Sequence, residues 1–386
     1  MNIITLKYKV PIFLFLVFFV FSCKQSENTS NVIRVSPSQK KEIKLSSIVK
    51  KYRLIKLDSV GPVIGAVRKM KKTTKGFCLL TERTLVFYDN NGKFIKTFDR
   101  QGRGPEEYLN IQDYIIKEDE ILVLDSKNRA IKFYDGEFNF KREWNINSFG
   151  LAIENNKNSS FSVYRGNDLG SDISTKLNIY EVNEKKPIKT YFEINPKHAK
   201  YLNFIERNNF YEFSDTLIFS HVCNNSIYNI TEDGVEVRYK VDFGDSNSFN
   251  TLLNRDFMNV MKFLEYCKKN PIALFWNGFT ETSNKITFCY KQLDRFYHVI
   301  YSKNEHKSLV VSAYIDDLFF REGKVKATLE NYPILADNGR MYILLEPLKL
   351  LQRMKKLTPE MNTSFAKIVS ELSYSDNPLL LEIELL

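Results

Sequence analysis

Short runs of hydrophobic and aromatic residues, separated by polar turns, recur along most of the 386-residue chain. One stretch contains Glu120–Asp125, Ala130–Tyr134 and Phe138–Trp144 in succession. Runs of this length and composition indicate β-strands, and the polar residues between them indicate hairpin turns. Residues 90–92 read Asn-Asn-Gly, a strong hairpin turn, because Asn and Gly accept positive φ. The pattern predicts an antiparallel β protein.

Aromatic residues of these runs recur at a nearly fixed distance. Tyr88, Tyr134 and Tyr180 lie 46 residues apart, Tyr228 follows after 48, and Tyr301 follows after a further 73. We expect the longer last interval to contain a helical insertion. A period of about 40 to 50 residues with about four short strands is typical of a β-propeller blade.

Six such units fit residues 51–386, with a sixth cognate strand near Leu381–Glu384. The sequence therefore predicts an all-β fold, a six-bladed β-propeller with four-stranded blades and two lateral helical insertions. A ring of blades is closed by pairing the two ends of the chain. Tyr52–Leu57 and Leu379–Leu386 are the β-rich segments available for this pairing.

Two segments follow helical spacing instead. The first begins at Leu253 and is stopped by Asn270-Pro271. The second follows Thr358-Pro359, a suitable cap and first-turn pair. The apolar positions that carry the two patterns are Phe257, Val260, Met261 and Leu264, and then Met361, Phe365, Ile368, Val369 and Leu372. We expect both helices to lie on the sides of blades five and six.

The amino terminus resembles an export signal. Lys7 and Lys9 precede the run Val10–Phe21, which is too short to span a membrane and predicts a signal peptide over residues 1–22. The four residues ending at Cys23, Val-Phe-Ser-Cys, resemble a bacterial lipobox, so Cys23 is the predicted lipidation site. An ordinary secretory signal followed by a chance cysteine is the alternative.

We therefore predict a lipidated Cys and polar tether over residues 23–50, followed by the propeller over 51–386. A lipid anchor implies an outer-membrane lipoprotein of the cell envelope, on either its periplasmic or its surface side. Removal of the signal's two lysines lowers the net charge from +10 to +8. This modest surplus lacks a basic cluster interleaved with aromatics, so we expect no nucleic-acid partner and a monomer.

Little in the sequence points to catalysis. The chain after the predicted signal peptide has no C-x-x-C pair, no G-x-S-x-G nucleophile motif, no H-E-x-x-H metal-binding motif and no G-x-x-x-x-G-K-S/T phosphate-binding loop. The sequence therefore predicts no catalytic residue, no metal ligand and no cofactor. Four histidines are scattered without ligand spacing: His198, His221, His298 and His306. Four cysteines are expected to be buried structural thiols, although export would permit disulfides: Cys78, Cys223, Cys267 and Cys289.

Two motifs resemble known families. Residues 125–135 are similar to the NHL repeat, with Asp, Asn, Arg, Ile and an aromatic in the expected order. Residues 102–108, Gly-Arg-Gly-Pro-Glu-Glu-Tyr, resemble a loop of the six-bladed β-propeller lipoproteins of gut Gram-negative bacteria, with Glu106 in place of a glycine. The resemblance implies the fold and export, and no established activity.

The candidate ligand-binding residues are Arg103, Glu107 and Tyr108. Arginine offers a planar fork for carboxylate or phosphate, and tyrosine can stack or donate a hydrogen bond. The alternative is that Arg103 and Glu107 pair locally while Tyr108 plugs the core. Asp125, Asn128 and Arg129 have the same two interpretations, as ligand contacts or as turn-forming residues.

Three functions remain open. The first is a tethered binding or scaffold module for a glycan, a peptide or a partner protein. The second is a metal-dependent hydrolase or lactonase of the six-bladed type, with channel carboxylates around the metal. The third is a structural component of an envelope complex.

Overall fold

The computed structural model describes residues 31–386 apart from 118, 157–159, 205–207, 245–248, 321–325, 328–334, 338 and 358–359. The predicted signal peptide and Cys23 lie outside the described residues. Among the helices that are described, none is long and apolar enough to cross a membrane.

Strands dominate the fold. The amino-terminal segment provides β1 (Val32–Arg34), β2 (Lys40–Lys44), a short 3-10 turn (Leu45–Ser47) and β3 (Val49–Lys56). Blade 1 consists of β4 (Lys69–Thr73), β5 (Gly76–Leu80), β6 (Leu85–Asp89) and β7 (Phe94–Phe98). Blade 2 consists of β8 (Asp113–Lys117), β9 (Glu120–Asp125), β10 (Ala130–Asp135) and β11 (Phe140–Asn145). Blade 3 consists of β12 (Ala152–Asn155), β13 (Ser160–Tyr164), β14 (Thr175–Glu181) and β15 (Lys189–Glu193).

The second half of the chain continues the ring. A short helix α1 (Pro196–Ala199) leads to blade 4, with β16 (Phe210–Phe213), β17 (Thr216–Phe219), β18 (Ser226–Ile230) and β19 (Val235–Asp242). Helices α2 (Phe249–Leu253) and α3 (Val260–Lys269) precede blade 5, with β20 (Leu274–Glu281), β21 (Lys285–Gln292), β22 (Arg295–Ser302) and β23 (Lys307–Ile315). The remaining elements are β24 (Lys326–Ala327), β25 (Leu335–Asp337), β26 (Arg340–Leu345), α4 (Pro347–Leu357), α5 (Thr363–Ser370) and β27 (Leu379–Leu385).

The predicted repeat is confirmed. The five repeating tyrosines all lie in the third strands of their blades, β6, β10, β14, β18 and β22, and the sixth cognate lies in β27. Each blade is an antiparallel meander that runs from its inner to its outer strand. The mainly β, six-bladed architecture with four-stranded blades is therefore as predicted.

Chain closure also follows the prediction. β27 pairs antiparallel with β3, from Leu379 opposite Lys56 to Leu385 opposite Val49. The amino-terminal β3 thereby becomes the outer strand of blade 6, whose other three strands come from the carboxyl end of the chain. The two ends of the propeller hold each other in one sheet.

The tether predicted over residues 23–50 is too long at its carboxyl end. β1 pairs in parallel with β19, and β2 pairs in parallel with β23, so both extend the outer edges of blades 4 and 5. Ile33 and Val35 are buried in the core between those blades. The outer strand of a blade leaves backbone N–H and C=O groups unpaired. β1 and β2 provide hydrogen-bond partners for these groups in blades 4 and 5.

The two predicted helical segments lie where the sequence analysis expected them, but their first and last residues differ from the prediction. The first insertion divides into α2 and α3, and Asn270 ends α3 as expected. The second helix, α5, begins after Asn362, whose Oδ1 accepts the Phe365 amide at 2.8 Å. The predicted cap Thr358-Pro359 lies outside the described residues. α4, which the sequence analysis did not predict, is inserted between the second and third strands of blade 6.

The core lies between the blades. In the described part of the chain, one apolar cluster joins each of the neighbouring pairs 1–2, 2–3, 3–4, 4–5 and 6–1. The four described cysteines, Cys78, Cys223, Cys267 and Cys289, are buried, and Cys78 and Cys267 carry free thiols. Burial raises the pKa of Cys267 to about 11, so this thiol stays protonated.

Candidate functional site

The glycine-arginine loop crosses from the outer strand of blade 1 to the inner strand of blade 2. Tyr108 anchors it: the side chain is fully buried, its ring packs 5.6 Å from that of Phe98, and its hydroxyl donates to the Arg83 carbonyl at 3.0 Å. The same hydroxyl accepts the Arg100 amide at 3.1 Å. The expected core plug is therefore present.

Glu107 holds the loop through the backbone. Its Oε2 accepts the Gly104 amide at 2.8 Å, and a side chain at Gly102 would collide with the same carboxylate. The local Arg103–Glu107 pair considered above does not form among the described contacts. Arg103 is exposed at the tip of the loop.

Side chains of blade 2 also hold this loop. Lys132 donates to the Pro105 carbonyl at 3.0 Å, and the Tyr134 hydroxyl donates to the Glu106 carbonyl at 2.9 Å. Asp125 accepts the Leu109 amide at 2.8 Å. Arg103 is thus presented by a loop that buried side chains fix in place.

The NHL-like residues act in the turn. Asp125 is fully buried and also accepts the backbone amide and the Nδ2 of Asn128, at 3.3 and 2.8 Å. Arg129 has φ of 54° and donates to the Gly170 carbonyl at 3.1 Å. These contacts support the turn-forming interpretation.

His221 lies in the turn after β17, between blades 3 and 4, and not at the channel. Its Nδ1 donates to the Val222 carbonyl at 3.0 Å, while its Nε2 accepts from the Asn224 amide group at 2.9 Å. Burial lowers the pKa of His221 to about 3, so the ring stays neutral. This is a hydrogen-bonded structural histidine.

A cavity of about 1050 Å³ with both polar and apolar walls lies among the inner strands of the ring. Its walls include residues of the inner strands of all six blades, β4, β8, β12, β16, β20 and β25. It opens where these strands end and turn into the second strands of their blades. The Arg103 loop joins an outer strand to the next inner strand, so it lies at the opposite face of the propeller.

Two lysines of β4 pair with carboxylates on the inner strands of blades 2 and 3. Lys69 donates to both carboxylate oxygens of buried Asp113 on β8 at 2.7 Å, and Lys71 reaches Glu154 on β12 at 2.7 Å. Asp113 also accepts the Ile153 amide at 2.9 Å, which ties three blades together. Burial lowers the pKa of Lys69, and Asp113 opposes this effect.

The open mouth of the channel separates charges by blade. The charged lining residues of blades 1 and 2 are all cations: Lys69, Lys71, Lys72 and Lys117. Those of blades 3, 4 and 6 are acidic apart from one lysine: Glu154, Glu181, Lys189, Glu212, Asp215, Glu232 and Asp337. Lys117 on blade 2 and Glu212 on blade 4, two blades apart on the rim, are both exposed. The mouth therefore presents a basic side and an acidic side.

Sequence reasoning did not find this mouth. Its charged residues come from five blades and are far apart in the chain, and no linear motif connects them. The one available signal was the Lys-Met-Lys-Lys start of β4, which places cations on an inner strand. Among the residues that the structure describes, no three His, Cys, Asp or Glu side chains form a group suited to a metal ion.

Comparison with known families agrees with this architecture. The model of a domain of unknown function, DUF4934, matches residues 30–384, which include every blade. The chain belongs to the DUF4934 family. No curated protein matches it in sequence.

Solved structures resemble this DUF4934 protein in fold. A Bacteroides fragilis NCTC 9343 protein called a "putative exported protein" has a TM-score of 0.74 at 13% identity, covering 92% of this chain and 99% of its own. A member of the DUF4221 family from Bacteroides vulgatus ATCC 8482 has a TM-score of 0.52 at 12% identity, covering 88% and 97%. At these identities the similarity concerns the fold.

Proposed function

We propose that this DUF4934 protein is an exported, membrane-tethered binding module that takes a short peptide at the mouth of its central channel. The separation of basic and acidic rim residues around a channel of about 1050 Å³ carries the proposal. The lipobox-like Cys23 and the fold similarity to the Bacteroides fragilis protein called a "putative exported protein" support the location at the cell envelope.

Charge separation favours a ligand that itself carries both charges. A peptide with free termini has a carboxylate for the lysine side, near Lys117, and an ammonium group for the acidic side, near Glu212. Complementary potentials orient such a ligand and exclude its reversed pose. The cavity volume lies at the upper end of the range of small-molecule sites.

Ion pairing inside the channel ranks the metal-dependent hydrolase second. Asp113 on the inner strand β8 and Glu154 on the inner strand β12 are each held by a lysine at 2.7 Å. A metal centre would have to displace those lysines from both carboxylates. Turnover of a lactone or ester that a chelator abolishes would reinstate the hydrolase.

Calorimetric titration tests the peptide proposal. Tri-alanine with free termini is compared with the same peptide acetylated and amidated, and we expect the free form to bind at least about tenfold more tightly. Lys117→Glu and Glu212→Lys should each weaken binding, more so at low salt. Arg103→Glu, on the opposite face, is the matched control and should change nothing.

Two results would contradict this assignment. Equal affinity for the free and the blocked peptide would remove the charge argument, as would the absence of binding by either. Loss of binding with Arg103→Glu alone would move the site to the loop between blades 1 and 2.

The lipid anchor is tested separately. Cys23→Ser should move the protein from the detergent phase to the aqueous phase on partitioning, because the residue that takes the acyl chains is gone. Unchanged partitioning would contradict the anchor without affecting the peptide site.

A further inference from the structure

The interface between blades 5 and 6 differs from the other five. No described apolar cluster joins these two blades; the cluster on blade 6 joins it to α4, α5 and residues 318–320 instead. Between the facing sheets lies a mostly apolar cavity of about 680 Å³. Native interiors rarely keep voids of this size without a use.

Blade 2 shows what a closed interface contains. On the third strand of blade 2, Phe133 and Ile131 lie one and three residues before Tyr134, on the face toward blade 3. These residues stand opposite Leu122 and Leu124 on the second strand. All four are large, apolar and at most 3% exposed.

Blade 5 carries smaller and more polar residues at the same positions. On the third strand of blade 5, Ile300 and His298 lie one and three residues before Tyr301. They pair with Thr287 and Cys289 of the second strand. All four of these side chains line the cavity. The register therefore places a smaller or more polar residue wherever blade 2 has a large apolar one.

Blade 6 widens the gap from its side. Its third strand reads Leu-Leu-Leu-Glu-Ile-Glu-Leu and lacks the tyrosine that every other blade has on this strand. Met341, Ile343, Leu381 and Ile383 form the apolar wall that faces blade 5. Ile300 of blade 5 lines the same cavity as this wall.

One helix places cations at the same cavity. Lys349, Arg353 and Lys356 of α4 follow the spacing i, i+4 and i+7, and all three line it. Lys349 pairs with Glu346 at 2.9 Å. Asp316, the other acid of the lining, is buried and faces Arg353.

From this combination of an apolar cavity among the described residues of blades 5 and 6 and a cationic helix face, we propose that the cavity binds a single-chain fatty acid. The acyl chain lies against the blade 6 wall, and the carboxylate faces Arg353 and Lys356. This site is separate from the channel mouth and does not depend on the peptide proposal.

Dodecanoate below its micellar concentration is the probe, titrated into the full chain carrying Cys23→Ser so that no acyl anchor competes. We expect saturable binding of one molecule per chain. Ile300→Phe, which gives blade 5 the residue of blade 2, should weaken binding by about tenfold or more. The thermal unfolding of the Ile300→Phe variant is measured as well, to establish that the variant is folded when its binding is compared.

Head-group recognition has its own test. Lys356→Glu, an exposed change, should weaken dodecanoate by about two- to fivefold and leave dodecanol unchanged. Lys117→Glu at the channel mouth should leave both unchanged. No saturable binding, or undiminished binding to folded Ile300→Phe, would overturn the site, and equal effects of Lys356→Glu on acid and alcohol would overturn the carboxylate assignment.

Discussion

The interface between blades 2 and 3 and the interface between blades 5 and 6 share one backbone arrangement but differ in how tightly their side chains pack. Between blades 2 and 3, Trp144 packs 5.8 Å from Phe161 and 5.9 Å from Tyr180, measured between ring centroids, and little space remains. Between blades 5 and 6, the positions equivalent to Leu122 and Leu124 hold a threonine and a cysteine. Each blade is secured by its own strand pairing, so one interface can lose packing while the ring persists.

Closure of the ring gives the largest expected effect. Deleting Leu379–Leu386 removes β27, the third strand of blade 6 and part of the cavity wall, and leaves β3 without a partner. We expect loss of cooperative thermal unfolding and aggregation, because two sheet edges are exposed at once. Replacing β1 with Gly-Ser-Gly removes an added edge strand and the buried Ile33 side chain but leaves the β27–β3 pair intact, and it should preserve a cooperative transition. A truncated protein that melts like the full chain would contradict the closure.

Matched truncations measure the difference in packing. Ile131→Ala at interface 2–3 should lower the free energy of unfolding by about 2–5 kcal/mol, since the void it creates is enclosed. Ile300→Ala at interface 5–6 should cost only about 1 kcal/mol, because its side chain already borders a cavity. Urea denaturation of both variants provides the comparison. Equal losses would mean that the two interfaces are packed alike.

The open interface also contains a buried carboxyl group, Asp316. Burial raises the pKa of Asp316 to about 6, although the Phe319 and Leu318 amides and the charge of Arg353 oppose the rise. The folded state therefore binds this proton more tightly than the unfolded chain, and the stabilisation is present below about pH 4 and lost as the pH rises through 6. The loss amounts to at most about 3 kcal/mol.

Asp316→Asn removes that dependence. Between pH 4 and pH 7, the free energy of unfolding of the wild-type protein should fall relative to that of the variant. Denaturation curves across this interval measure the difference, in which the titration of all other groups cancels. A constant difference would contradict the raised pKa.

Sequence periodicity predicted the fold because a blade repeats locally. The tyrosines of the third strands, the hairpin signals and the apolar ends of the chain are each visible within a few residues. The strand nature of β1 and β2 was not predicted, since short mixed segments such as residues 40–44 become strands only when an outer edge accepts them. α4 was not predicted, although Leu350, Leu351 and Met354 follow helical spacing after Pro347 at the first helical position.

The candidate sites were less predictable for a physical reason. The Arg103 loop was recognised as a local motif, and the structure adds that Tyr108 is its buried anchor. The channel mouth combines Lys117 and Glu212, which no spacing rule relates. The cavity between blades 5 and 6 depends on which residues share one face at equal register, and this needs the strand pairing of both blades.

Exchange of one side chain tests the open interface most directly. Ile300→Phe and the reciprocal Phe133→Ile are compared by urea denaturation without ligand. We expect Phe133→Ile to cost about 1–2 kcal/mol, whereas Ile300→Phe should be neutral or stabilising by up to about 1 kcal/mol, because the added ring fills existing space. A loss of about 1–3 kcal/mol in Ile300→Phe, as overpacking of a filled core produces, would show that blades 5 and 6 leave no room and would contradict the account.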